Sequence, residues 1–150
     1  TSAVASLPAL PGVAEHRDSS PWNMVRTPAG GIAAWDWESA AVDGVPGTDL
    51  ISLLTYANLH LQRAIAHPEG RLRWAGDPAS PPGAAHLTAY LARLGAGAPA
   101  VPGLMVLTWM IHATTAAERA RRGAGDGGHT VTTMAALLDE ATAMATAAGA

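Results

Sequence analysis

The tetrapeptide Gly44-Val45-Pro46-Gly47 divides this chain into two regimes of local structure, and nothing else in the sequence constrains the fold as strongly. Before it, prolines and glycines recur too closely for a helix to extend. Leu7-Pro8-Ala9-Leu10-Pro11-Gly12 is an irregular entry, and Thr27-Pro28-Ala29-Gly30 has the proline and glycine of a tight turn. Around that turn lie two short β-prone runs, Asn23-Met24-Val25 and Gly31-Ile32-Ala33-Ala34-Trp35, which are expected to pair as a small hairpin. After the tetrapeptide the pattern becomes helical. Thr48 is placed to cap a helix in which Leu50, Ile51, Leu53, Leu54, Ala57 and Leu61 recur at helical spacing, and the helix is expected to run to about Ala66, before His67-Pro68. Further helices are expected over Ala84–Leu94, Gly103–Arg122 and Thr130–Ala147. An exposed Pro/Gly-rich connector spans Glu69–Gly83, and a flexible glycine-rich link spans Gly123–Gly128. The expected class is α+β and mainly helical, with a small β-hairpin and about four helices.

The length, 150 residues, fits a single domain, with 1–47 forming a loop and hairpin part and 48–150 a helical part. Hydrophobic residues make up 49% and charged residues 14%, which argues against disorder along the chain. Phenylalanine is absent, so five tryptophans, at 22, 35, 37, 74 and 109, carry most of the bulky aromatic volume. A formal charge of −3 argues against general nucleic-acid binding, and the compact basic run is confined to Arg119, Arg121 and Arg122. Without cysteine there is no thiol nucleophile, thiolate zinc site or disulfide framework. His60, His67, His86, His112 and His129 share no ligand spacing, which argues against a zinc site. Thr1–Leu10 lacks the basic flank and apolar core of a secretory signal, and a cytoplasmic location is the default expectation. Ala100–Ala117 is strongly apolar but is interrupted by Pro102, Thr108 and His112, so a buried helix is expected rather than a membrane span. All nine basic Lys and Arg residues are arginine.

The residues with most chemical potential lie ahead of the helical region. They are Asp18 within His16-Arg17-Asp18-Ser19-Ser20-Pro21-Trp22-Asn23, then Asn23 itself, then Asp36 within Trp35-Asp36-Trp37-Glu38. The hairpin brings Asn23 and Asp36 to the same end of two strands, close enough to share one cation. Taken alone, Asp18 is also compatible with a loop residue satisfying backbone N–H groups, Asn23 with a turn amide, and Asp36 with an ion pair to Arg17 or Arg26.

In this order, with Gly44-Val45-Pro46-Gly47-Thr48-Asp49-Leu50 following, these segments resemble the C-terminal catalytic lobe of the aminoglycoside phosphotransferase family, which has the protein-kinase-like fold. The resemblance covers roughly residues 13 to 55. His16-Arg17-Asp18 stands where the family commonly reads His-Gly-Asp, and Trp35-Asp36-Trp37 where it reads Ile-Asp-Trp or Ile-Asp-Phe. The resemblance implies a catalytic base at Asp18 and Mg²⁺ ligation by Asn23 and Asp36. It also implies a supporting role for His16, bonding backbone near Asp36, and for Asp49, tying the first long helix to the loop. Trp37 and Glu38 are candidates to line a substrate pocket. The implied activity is transfer of the γ-phosphoryl group of ATP or GTP to a hydroxyl of a sugar, aminoglycoside or similar metabolite. The family's glycine-rich nucleotide lobe and its phosphate lysine have no counterpart in these residues. The expectation is therefore of half an active site, with very low activity unless another polypeptide segment supplies the missing lobe. The rival expectations are a non-catalytic kinase-like interaction module and a truncated pseudoenzyme.

Overall fold

A computed structural model describes residues 2–61, 84–124 and 128–148. The fold is α+β and mostly helical. Its elements in order are α1 (Ser2–Ala5), β1 (Val13–Glu15), β2 (Met24–Arg26), β3 (Ile32–Ala34), β4 (Ala41–Gly44), α2 (Thr48–Leu61), α3 (Ala84–Arg93), α4 (Val101–Arg121) and α5 (Gly128–Ala148). The chain forms two compact units, one of residues 9–98 and one of residues 1–8 with 99–150.

In the first unit, β2 and β3 pair antiparallel with Met24 opposite Ala34, Val25 opposite Ala33 and Arg26 opposite Ile32. Pro28-Ala29-Gly30 closes this hairpin. Gly30 has φ +84°, the left-handed position that a three-residue hairpin loop requires, and the Thr27 N–H donates to the Gly31 carbonyl at 2.9 Å. A second ladder, which the sequence reading did not anticipate, pairs β1 with β4 antiparallel: Val13 lies opposite Gly44 and Glu15 opposite Ala41, with an irregularity between. Three residues ending in a buried glutamate carry no strand signature, and this ladder is set by tertiary contacts. Gly44 serves it through its lack of a side chain, because a β-carbon there would collide with the side chain of Glu15.

α2 begins at Thr48, but the Thr48 hydroxyl does not cap it in the expected way. It lies between the buried carboxylate of Glu15 and the Val45 carbonyl, which compete for its single proton, while the Gly47 carbonyl accepts the first helical bond, from Ile51 N–H at 2.8 Å. The described part of α2 ends at Leu61, so the expected extension to Ala66, and the connector at Glu69–Gly83, lie outside the described residues. α3 ends in a Schellman motif: Gly95 has φ +81°, Ala96 N–H reaches the Leu91 carbonyl at 3.0 Å, and Gly95 N–H reaches Ala92 at 3.1 Å. Among the described residues of this unit, Ile51, Leu87 and Leu91 are buried apolar side chains, beside the buried polar residues Glu15, His16, Ser19, Ser20, Asn23, Thr48, Ser52 and Thr55. The buried polar residues Glu15, His16, Ser19, Ser20 and Asn23 all belong to the segment that leads from β1 to the hairpin, so burial there supports a loop.

In the second unit, α4 packs along α5 and receives α1. Val101, Leu104, Met105, Val106 and Trp109 of α4 meet Met134, Leu137 and Ala141 of α5 in the core. Gly103 is where α1 comes closest: a β-carbon there would press on the Ala3 carbonyl and the Leu7 side chain. Ala98–Arg121 is long and apolar enough to cross a bilayer, and half of its apolar window is buried. Residues 125–127 of the expected glycine-rich link are outside the described residues.

Candidate functional site

The segment from Glu15 to Asn23 is held from three directions. From α2, the Asp49 carboxylate accepts two backbone N–H groups, His16 N at 2.6 Å through Oδ2 and Arg17 N at 2.9 Å through Oδ1. Both oxygens of one side chain therefore act on two consecutive residues, and Arg17 adopts φ +66°, a left-handed conformation that costs a non-glycine residue about 1–2 kcal/mol. A first-turn acid would ordinarily serve its own helix. Asp49 instead lies against the loop.

From the hairpin side, His16 reaches the residue before Asp36. Its Nε2 lies 2.8 Å from the Trp35 carbonyl, and its Nδ1 accepts the Asp18 N–H at 3.3 Å. Because Nδ1 accepts, these partners assign the proton to Nε2, which donates to Trp35. With both ring nitrogens occupied and the ring buried, His16 bridges the loop and the backbone before Asp36. Its ring also meets that of Trp37 at 4.6 Å, tilted by 53°. The Trp35 N–H donates to the Asn23 carbonyl at 3.1 Å, so the backbone just before Asp36 is tied both to His16 and to Asn23.

Third, the loop closes on itself through Asn23. Its Nδ2 donates to the Asp18 carbonyl and to Asp18 Oδ2, both at 2.9 Å. Two acceptors fix the orientation of the amide, and among the described residues no hydrogen bond occupies Asn23 Oδ1. Asn23 is buried in a 3₁₀ turn, Pro21–Asn23, while Asp18 is exposed.

Asp36 comes one residue beyond β3, after Trp35, at the open end of the hairpin where Asn23 precedes β2. The sequence left Asp36 open to an ion pair with Arg17 or Arg26. It is instead an exposed residue in left-handed conformation, φ +64°, opening the 3₁₀ turn Trp37–Ser39 without a side-chain cap bond. Neither Arg17 nor Arg26 pairs with it: Arg17 Nε lies 3.2 Å from Glu15 Oε2. Among the described residues no cation pairs with this solvent-facing carboxylate, and its left-handed backbone is a conformation that aspartate tolerates better than most residues, so the group is accessible to an external ligand. Glu38 is exposed in the same turn, and Trp37 is half exposed with its indole N–H on the Ala34 carbonyl at 3.0 Å.

Among the described residues no three His, Asp or Glu side chains gather in a metal-binding cluster. The oxygen donors that could contribute to a divalent ion at this end of the hairpin are Asn23 Oδ1 and the Asp36 carboxylate. That set suits Mg²⁺, which keeps several waters and takes phosphate oxygens, and it does not suit a cation needing a full protein cage.

Three groups carried no signal in the sequence. Glu15 is a buried acid between the Thr48 hydroxyl and Arg17. Tyr56 of α2 meets Trp22 at 5.5 Å between ring centroids, and burial, reinforced by the charge of Asp18, pushes its hydroxyl up to about 12. Tyr90 of α3 is raised in the same direction by burial and by Asp49, and it lines a cleft of about 150 Å³ with Val13, Ala14, Val45, Gly47, Asp49 and Leu50. An interval of thirty-three residues or more separates Glu15 from Thr48 and Tyr56, so only the folded chain reveals them.

No family model matches this chain, and neither a curated protein nor a solved structure matches it.

Proposed function

We propose that this chain is the catalytic lobe of a kinase-like small-molecule phosphotransferase that moves the γ-phosphoryl group of ATP or GTP to an alcohol. The observation that carries the reading is the double clasp of Asp49 on His16 and Arg17 N–H groups, which sets Asp18 beside the Asn23 amide. A carboxylate so held can orient an acceptor hydroxyl and take its proton late in transfer, when the bond to the incoming phosphoryl group is well formed. Asn23 Oδ1 and the Asp36 carboxylate would hold Mg²⁺; when bound, the ion neutralises charge on the phosphates. His16 and the Trp35 backbone keep Asp36 and Asn23 in a fixed relation, so that little reorganisation accompanies metal and nucleotide binding.

The chain has no lysine, so a lysine contact to the nucleotide phosphates would come from another polypeptide segment. This predicts weak nucleotide affinity and very low turnover for these 150 residues alone.

The test is Mn²⁺ binding in the presence of ATP, followed by electron paramagnetic resonance, with Mn²⁺ standing in for Mg²⁺. Wild type should bind the ion, Asp36→Ala should lose it, and Asp18→Ala should keep most of it. Equal binding by Asp36→Ala and wild type would refute the assignment of the metal site.

A further inference from the structure

Among the exposed large apolar side chains, Trp22 differs from the rest by standing between Asp18 and Asn23 in sequence, on the turn that carries Asn23. It is 61% exposed, yet it is not loose. Its carbonyl accepts the Trp35 indole N–H at 3.1 Å, which fixes the turn to the hairpin, and its ring leans on Tyr56 at 55°. Tyr56 belongs to α2, the helix whose first turn anchors the loop through Asp49, so indole and loop share one support. The next residue in the same turn, Asn23, donates its Nδ2 to Asp18 Oδ2 at 2.9 Å, so the turn that bears the indole also holds that carboxylate. A rigid, solvent-facing aromatic beside a carboxylate is pre-organised to receive a ring-shaped ligand, because little side-chain freedom is lost on binding.

We propose that Trp22, braced by Tyr56, is the specificity wall for the acceptor, receiving the non-polar C–H face of a neutral polyol ring while one ring hydroxyl meets Asp18. This rests on the phosphotransfer reading above. Neutrality follows from the charges on the wall. α2 carries one acid, Asp49, and its carboxylate is spent on His16 and Arg17; α3 carries none. Asp18 is therefore the one carboxylate available on that side among the described residues of α2, α3 and the loop's turn. Of the exposed acids at the hairpin end, Asp36 is assigned to the ion and Glu38 stands in the turn after it, so a polycation would have few partners for its further charges, and an anionic acceptor would be repelled by Asp18.

The experiment is saturation-transfer difference NMR on the full chain. Methyl β-D-glucopyranoside and myo-inositol serve as neutral probes, and spermidine as the polycationic one. The expected result is transfer to the ring C–H protons of a neutral probe, with binding about tenfold weaker in Trp22→Ala and largely restored in Trp22→Phe. Because the indole is exposed, Trp22→Ala should keep the wild-type circular dichroism spectrum. No transfer to either neutral probe, equal transfer in Trp22→Ala, or stronger binding of spermidine would each overturn the proposal. Mn²⁺ binding measured on the same samples separates the two readings. An Asp36-dependent ion without Trp22-dependent polyol binding overturns the wall and leaves the phosphotransfer reading standing. Trp22-dependent polyol binding without an Asp36-dependent ion overturns the phosphotransfer reading and retains the wall as a polyol site.

Discussion

Removing the Asp49 carboxylate should unfasten the loop, and the structure gives the size of the effect. The carboxylate accepts two backbone N–H groups at 2.6 and 2.9 Å. Bonds to a charged acceptor are worth about 1.5–3 kcal/mol each, but the two do not count equally. His16 is buried, so its N–H would be stranded in Asp49→Ala at a cost of about 2–3 kcal/mol, whereas Arg17 is exposed and water can replace most of its bond, leaving about 1 kcal/mol. The total, about 3–4 kcal/mol, is a large share of the ~5–15 kcal/mol that stabilises a typical domain. In Asp49→Asn one oxygen survives to accept, while the amide NH₂ faces a second donor, so the loss should be about 2 kcal/mol. Urea denaturation followed by tryptophan fluorescence measures the stability, and amide hydrogen exchange at His16 and Arg17 measures the local effect. The His16 amide should lose protection more than any amide of α5. The reasoning fails if both variants stay within about 0.5 kcal/mol of wild type and the His16 amide exchanges at its original rate.

Asp36 has φ +64°, so Asp36→Gly should be about 1 kcal/mol more stable than Asp36→Ala while both lose Mn²⁺; equal stability in thermal melts would show that the backbone carries no such strain. Tyr56 is raised from 10.0 to about 12, so the folded state holds its proton more tightly than the unfolded chain does. Its contribution, on the order of 2–3 kcal/mol, is complete below pH ~10 and is lost as pH climbs towards ~12. Tyr56→Phe should flatten the decline of stability across that window in denaturation series, and an unchanged slope would contradict the assignment. Gly103→Ala would force a methyl group against Ala3 and Leu7, with Leu7 Cδ2 at 2.9 Å, and should cost about 1–3 kcal/mol in α1–α4 packing; an unaltered melting temperature would count against that contact.

The long helices were legible because their signals are local. Leu50, Ile51 and Leu54 recur at helical spacing, and Leu94-Gly95 and Arg122-Gly123 mark the stops of α3 and α4 that left-handed glycines complete. The hairpin was legible for the same reason, since Pro28 and Gly30 specify a turn whatever surrounds it. α1 and the β1–β4 ladder were not legible. Four residues of α1 are too few to show a period, and Val13-Ala14-Glu15 becomes a strand only because Gly44 leaves space for Glu15. In the site, the order of Asp18, Asn23 and Asp36 could be read from the chain, but their environments could not. That Asp36 finds no cation among the described residues, that Asn23 turns its NH₂ to Asp18, and that Tyr56 backs Trp22 all depend on how the loop, the hairpin and α2 fold together.

The division of the chain into an uninterrupted unit, 9–98, and a unit assembled from 1–8 with 99–150 bears on biosynthesis. A ribosome delivers residues in order, so the loop, hairpin, α2 and α3 can close on one another while α4 is still inside the exit tunnel. The opening helix has no such option: α1 must stay unsatisfied until Gly103 emerges to receive it. A nascent chain stalled with α4 filling the tunnel should therefore already shield its His16 amide, yet leave Ala3 open to proteases.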